Sequence, residues 1–126
     1  MSAEQLQILS AAGHMIACRS HTHRPFGAMP PDEMKADVSE NLAVLTDILG
    51  TRPRWISFPY GRGDAVPRDT DHFYETFGFS VGMTLSPSRN HAGQDPYRVC
   101  RMTENQYAAL MDHPYADPEI RSVRVA

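Results

Sequence analysis

Two histidines with one residue between them, His21-Thr22-His23, follow Arg19-Ser20 after the mostly apolar run His14–Cys18. Further along, Phe58-Pro59-Tyr60-Gly61 closes a second apolar run that begins at Trp55. Both patterns can do chemistry. Two neutral imidazoles at His-x-His spacing can bind one divalent cation, usually with a carboxylate as third ligand. A chain with six histidines also yields such a pair by chance, as exposed loop residues without a metal. Proline at 59 fixes one φ and glycine at 61 permits an unusual one. The turn can therefore aim the Tyr60 backbone N–H at a developing oxyanion. It can equally be an ordinary exit from a strand. Both readings stay open at each motif.

The flanking residues predict the elements that would carry these groups. Ser2 and Gln5 have the form of a capping box, with Leu6, Leu9 and Ala12 at helical spacing up to Gly13. His14–Cys18 fits a short buried strand, with His14 packed inside it, and Arg19–Met29 reads as a loop. Pro30-Pro31-Asp32-Glu33 opens the clearest helix. Met34, Val38, Leu42, Leu45 and Leu49 form its apolar face, and Gly50 ends it. Trp55–Phe58 is a second strand. Asp69 caps a helix bearing Phe73 and Phe77 and stopped at Gly78. Ser80–Leu85 and Tyr97–Met102 are further strands, and Thr103 with Gln106 caps a last helix through Tyr107, Leu110 and Met111. This alternation predicts a parallel sheet with helices outside it. In such a sheet functional groups gather beyond the strands' C-terminal ends, which is where both motifs fall.

The bulk numbers bound the rest. At 126 residues, 41% hydrophobic and 21% charged, the chain fits one α/β domain. A formal charge of −3 and scattered arginines imply no nucleic-acid partner. No apolar run approaches the ~20 residues of a membrane span, and the first residues lack a signal-peptide pattern, so the expected location is cytoplasmic. Cys18 and Cys100 read as buried thiols rather than a disulfide. His72, His91 and His113 read as surface residues.

Leu9-Ser10-Ala11-Ala12-Gly13-His14-Met15-Ile16-Ala17-Cys18-Arg19-Ser20-His21-Thr22-His23 resembles the Leu-x-x-Ala-Gly-His-Glu-Ile-Gly-x-His-Thr-x-x-His block of the polysaccharide deacetylases, the NodB-homology domains of carbohydrate esterase family 4. Phe58–Gly61 matches the family's aromatic-Pro-Tyr-Gly block. Phe73–Phe77, Gly78-Phe79 and Val81–Leu85 match its aromatic helix, Gly-Phe and short strand, and Arg101 matches an arginine at the end of the last strand. The resemblance spans roughly residues 5–112. It implies a partial (β/α) barrel, α/β with mostly parallel strands, outer helices and the first strands missing, over residues 1–113, followed by a tail over 114–126.

The resemblance further implies hydrolysis of N- or O-acetyl groups on carbohydrate with a divalent metal, zinc first among the choices. By this likeness His23 is a metal ligand, with His21 available as a second if the loop shifts register. Tyr60 is the catalytic backbone donor to the oxyanion, and Phe58, Pro59 and Arg19 face substrate. The sequence also departs from the family. Arg19, which cannot ligate a metal, stands where the family has its first metal histidine, and the family's paired aspartates lie on a strand preceding the residues present here. The expectation is a deacetylase site completed by residues from another chain or an upstream segment, with a homo-oligomer or partner covering the open sheet. The alternative is a non-catalytic remnant that binds carbohydrate or protein.

Overall fold

A computed structural model describes residues 1–86 and 88–107. The capping box forms: Ser2 accepts from the Gln5 N–H, Gln5 accepts from Ser2 in return, and helix α1 runs Ala3–Ala11. None of its residues is buried, and its link to the next helix includes Gln7 Nε2 donating to the Ile48 carbonyl at 2.9 Å. Helix α2, Pro31–Leu49, starts on a proline and ends at Gly50 in the left-handed conformation. Its apolar face buries Val38, Leu42 and Leu45, while Leu49 is half-buried.

Three strands follow: β1 (Trp55–Ser57), β2 (Val81–Leu85) and β3 (Val99–Arg101), parallel and in the order β1-β2-β3. Helix α3 (Thr70–Phe77), capped by Asp69 and stopped at left-handed Gly78, carries the chain from β1 to β2. The sheet is therefore the parallel one that the element order predicts. Thr103 and Gln106 form their cap, but Leu110, Met111, His113 and the tail lie outside the described residues.

The run His14–Cys18 departs from its expected strand. Only Cys18 pairs, through a single parallel bridge to Ile56: its N–H donates to the Trp55 carbonyl at 2.9 Å and its carbonyl accepts from the Ser57 N–H at 2.8 Å. Residues before it stay off the sheet, so His14 and Met15 are exposed, and His14 is not the packed histidine the apolar pattern suggests. β3 is also shorter than expected, because Pro96–Arg98 closes a 3-10 turn. That turn stacks Tyr97 on Tyr74, ring centroids 3.8 Å apart. Gly82 makes room for it: a Cβ there would collide with the Tyr74 hydroxyl, which reaches past to the Tyr97 carbonyl.

The core fills the space between the sheet and helices α2 and α3. Phe73 sits at its centre with the rings of Phe26, Phe58, Tyr74, Phe77 and Phe79 all within 6 Å. Phe26 arrives on a 3-10 turn, Phe26–Ala28, inside the stretch read from sequence as loop. Cys18 is buried as expected, whereas Cys100 is half-buried; both are free thiols. Burial pushes the Cys18 thiol up to about 11. Among the described residues no helix is long and apolar enough to cross a membrane. Phe73→Ala removes the ring on which the cluster converges; an equilibrium urea titration is expected to show a loss of about 3–5 kcal/mol.

Candidate functional site

The loop after Cys18 would be unstable by itself, because Ser20 and His23 both adopt positive φ, 74° and 59°. For residues with a Cβ this conformation costs roughly 1–2 kcal/mol each. Helix α2 supplies what holds it. Asp37, buried at 5% exposure, accepts from the His21 and Thr22 N–H groups, each at 2.9 Å, and from the Thr22 hydroxyl. One turn on, Asn41 Oδ1 accepts from the Cys18 thiol at 2.9 Å and the Arg19 N–H at 3.2 Å. Glu40 pairs with His21 Nε2 at 3.4 Å. Within the loop, the Ser20 hydroxyl accepts from the His23 N–H at 2.9 Å. Burial alone would raise the Asp37 pKa, but the hydrogen bonds from Thr22 and Ser20 and from the His21 and Thr22 amides outweigh it and hold the carboxyl below its usual range.

The second motif is held as tightly. Gly61 N–H donates back to the Pro59 carbonyl at 2.6 Å across Tyr60, whose φ is 60°. This is a γ-turn of the rarer, strained hand. The Gly61 carbonyl in turn accepts from the Leu85 N–H at 2.7 Å, tying the turn to the end of β2. A Cβ on Gly61 would lie 2.6 Å from that Leu85 nitrogen, so a side chain is excluded by space as well as by its φ of 64°. Among the described residues the Tyr60 N–H has no hydrogen-bond partner. Tyr60 is 57% exposed, and its ring lies against the His23 imidazole, centroids 5.2 Å apart.

The structure thus brings His23 and Tyr60 together at the C-terminal rim of the sheet and directs His21 to Glu40 on α2. Arg19 reaches into the same rim: its Nε donates to His23 Nε2 at 3.2 Å and its Nη1 to the Ser57 hydroxyl at 2.8 Å. Phe58 and Pro59 are placed differently from the expected substrate-facing positions. Both side chains are fully buried, Phe58 among Phe26, Phe73 and Tyr74, so this part of the motif supports the turn from below. Its contribution to the rim is the Phe58 carbonyl, which accepts from Arg101 Nη2 at 3.2 Å. Asp37 and Asn41 were not recognisable as site residues from their types. The available signal was their placement four apart beside the apolar face of α2, where a polar residue needs a partner.

A divalent ion of the kind implied by the family resemblance would need several converging donors. His23 Nε2 is engaged by Arg19, His21 is paired with Glu40, and among the described residues no group of three or more His, Cys, Asp or Glu is placed to hold a metal. These residues by themselves do not fit such an ion.

A three-stranded parallel sheet with outer helices defines an α/β domain. A sequence model of the polysaccharide deacetylase family matches residues 1–81, and the chain belongs to that family. Its fold is the corresponding part of the NodB-type deacetylase fold. Among solved structures, IcaB from Ammonifex degensii is 28% identical with a TM-score of 0.70, the match covering 86% of this chain and 52% of that one. The deacetylase domain of BpsB from Bordetella bronchiseptica is 24% identical with a TM-score of 0.65, covering 81% and 48%. A polysaccharide deacetylase from Bacillus cereus is 15% identical with a TM-score of 0.66, covering 86% and 36%. The chain therefore spans about half the length, or less, of these structures. Comparison with curated protein sequences gives no significant match.

Asp37→Ala should unseat the His21–His23 loop and cost about 2–4 kcal/mol, since it removes three hydrogen bonds to a charged acceptor. The sign of the pH dependence follows from the lowered pKa. The carboxylate's contribution is complete above the ordinary aspartate range near 3.8 and is lost as pH falls through the lower folded value. Thermal melts from pH 6 to pH 2 should show Asp37→Ala losing less stability than the parent chain over the acid end.

Proposed function

We propose that this chain forms the carbohydrate-facing C-terminal part of a deacetylase site that hydrolyses N- or O-acetyl groups, with the carboxylates supplied from outside the described residues. The observation that carries this reading is the unengaged Tyr60 N–H, held by a strained turn beside His23 at the sheet rim. A backbone donor fixed in that way can stabilise the oxyanion of a tetrahedral intermediate without reorganising. The exposed Tyr60 ring beside it offers a flat surface on which a pyranose can stack. Zinc, as the family resemblance implies, would depend on added carboxylates and on His23 and His21 giving up their contacts with Arg19 and Glu40. A homo-oligomer or a partner chain would cover the sheet, which beyond Cys18 has no further paired strand among the described residues.

One specific observation favours a second reading, binding without hydrolysis: Arg19 engages the nitrogen through which His23 would ligate. Acetate release from an N-acetylated oligosaccharide, measured with and without added zinc, tests the choice. Residues 1–126 alone should release acetate at least ~10³-fold more slowly than the same chain supplied with an aspartate-bearing upstream segment. Full turnover by residues 1–126 alone would overturn the incomplete-site reading. No release from either form would leave the binding reading in place of the catalytic one.

A further inference from the structure

We propose that Arg19 and Arg101 together form an oxyanion site that takes the carboxylate of an acidic sugar unit, with the Tyr60 ring as platform for the sugar itself. The inference rests on the reading above that this rim faces carbohydrate, and it names the class of sugar. The two guanidiniums bond to consecutive residues at the end of β1. Arg19 Nη1 donates to the Ser57 hydroxyl at 2.8 Å, and Arg101 Nη2 donates to the carbonyl of the next residue, Phe58, at 3.2 Å. Their remaining contacts are Arg19 Nε to His23 Nε2 at 3.2 Å and Arg101 Nε to the Thr84 carbonyl at 3.3 Å. Every one of these acceptors is a hydroxyl, a carbonyl or a ring nitrogen, and none is a carboxylate.

A guanidinium carries five N–H donors in a planar fork, so each arginine keeps donors in reserve after these contacts. Two like charges gathered at one half-buried rim repel each other. Burial lowers the pKa of Arg101, and the Arg19 charge lowers it further. An anion placed between them would relieve that repulsion. The nearby acids are otherwise engaged: Asp37 is filled by the His21 and Thr22 amides and the Thr22 hydroxyl, and Glu40 pairs with His21.

A shallow cleft of about 450 Å³ is lined by Pro25, Tyr60, Arg62, Asp64, Ala65 and Leu85, and its Tyr60 ring is linked to Arg19 through the His23 imidazole. This is within the size range of small-ligand clefts, roughly 300–1,000 Å³. Its Asp64 carboxylate is exposed and shares the cleft with Arg62, so the local balance there is neutral while the arginine pair stays positive. A ligand joining a carboxylate to a ring with an apolar face matches both halves: the fork of Arg19 takes the carboxylate and Tyr60 takes the ring. At the position where the resemblance expects a metal histidine, Arg19 supplies a fixed positive charge instead.

Isothermal titration with three probes tests the assignment: a uronic-acid trisaccharide, a neutral N-acetylated trisaccharide and inorganic phosphate. The acidic trisaccharide should bind at least about tenfold tighter than either other probe, and its affinity should fall with added salt. Arg19→Gln should reduce acidic-sugar affinity about tenfold or more, a larger loss than it causes for the neutral sugar. Tyr60→Ala should weaken the acidic sugar and not phosphate. Arg19 is exposed, and an unchanged amide NMR spectrum away from the rim would show that Arg19→Gln still folds. Equal affinity for acidic and neutral sugars, or an unaffected Arg19→Gln, would overturn this inference and leave the acetyl-carbohydrate reading standing. Phosphate binding as tightly as the acidic sugar would overturn the assignment to a sugar. Binding of the acidic sugar with none of the neutral one would retain the oxyanion site and remove the acetylated substrate from the reading above.

Discussion

A single buried carboxylate, Asp37, sets the shape of the rim. It sits on α2 next to Val38, whose side chain is fully buried, so its position is fixed by the packing of the helix. From there it accepts hydrogen bonds from two consecutive amides and a hydroxyl of the opposite loop. A carboxylate in that position would be costly without partners, and the loop amides supply them. The left-handed turns at Ser20 and His23 persist because this exchange over-determines the backbone between them.

The second constraint is steric. Tyr60 can be held in a strained γ-turn because Gly61 lets the chain approach the end of β2 closely enough for the Gly61 carbonyl to take the Leu85 amide. The fully buried Phe58 and Pro59 anchor the other side of the turn in the aromatic core. Strain at the rim is thus supported by the best-packed part of the molecule. The His23 imidazole and the Tyr60 ring meet because two separate loops, one clamped by α2 and one by β2, end at the same place. Arg19 and Arg101 reach the same rim through neutral acceptors on or near β1.

Much of the framework was legible from residue order. The Ser2–Gln5 box, the Pro31 start and Gly50 stop of α2, and the Asp69 cap of α3 all act locally, within a turn of the residues that encode them. The parallel sheet followed from the alternation of these elements. Less was legible where pairing decides. His14–Cys18 has the apolar content of a strand, but pairing requires a neighbouring backbone, and only Cys18 reaches one, so the run contributes a bridge and His14 stays exposed. Phe26 lay in a stretch rich in turn residues, yet a 3-10 turn carries its ring into the core. The burial of Phe58 was not legible for a related reason: which face of a turn residue points inward depends on the core below it.

From its residues alone this chain determined its helices, their caps, the parallel order of its strands and the two motifs that mark the rim, because each of these is set by short-range geometry and alternation. Tertiary structure decided which polar groups meet: Asp37 with the His21–Thr22 amides, Arg19 with His23, and Arg101 with the Phe58 carbonyl. Those partners lie between 4 and 43 residues apart in the chain, and no periodicity connects them. The charge at the rim, cationic and engaged with neutral acceptors, emerges only when α2 and the sheet are packed against the loop, because electrostatics depends on distance in space and not on spacing in sequence.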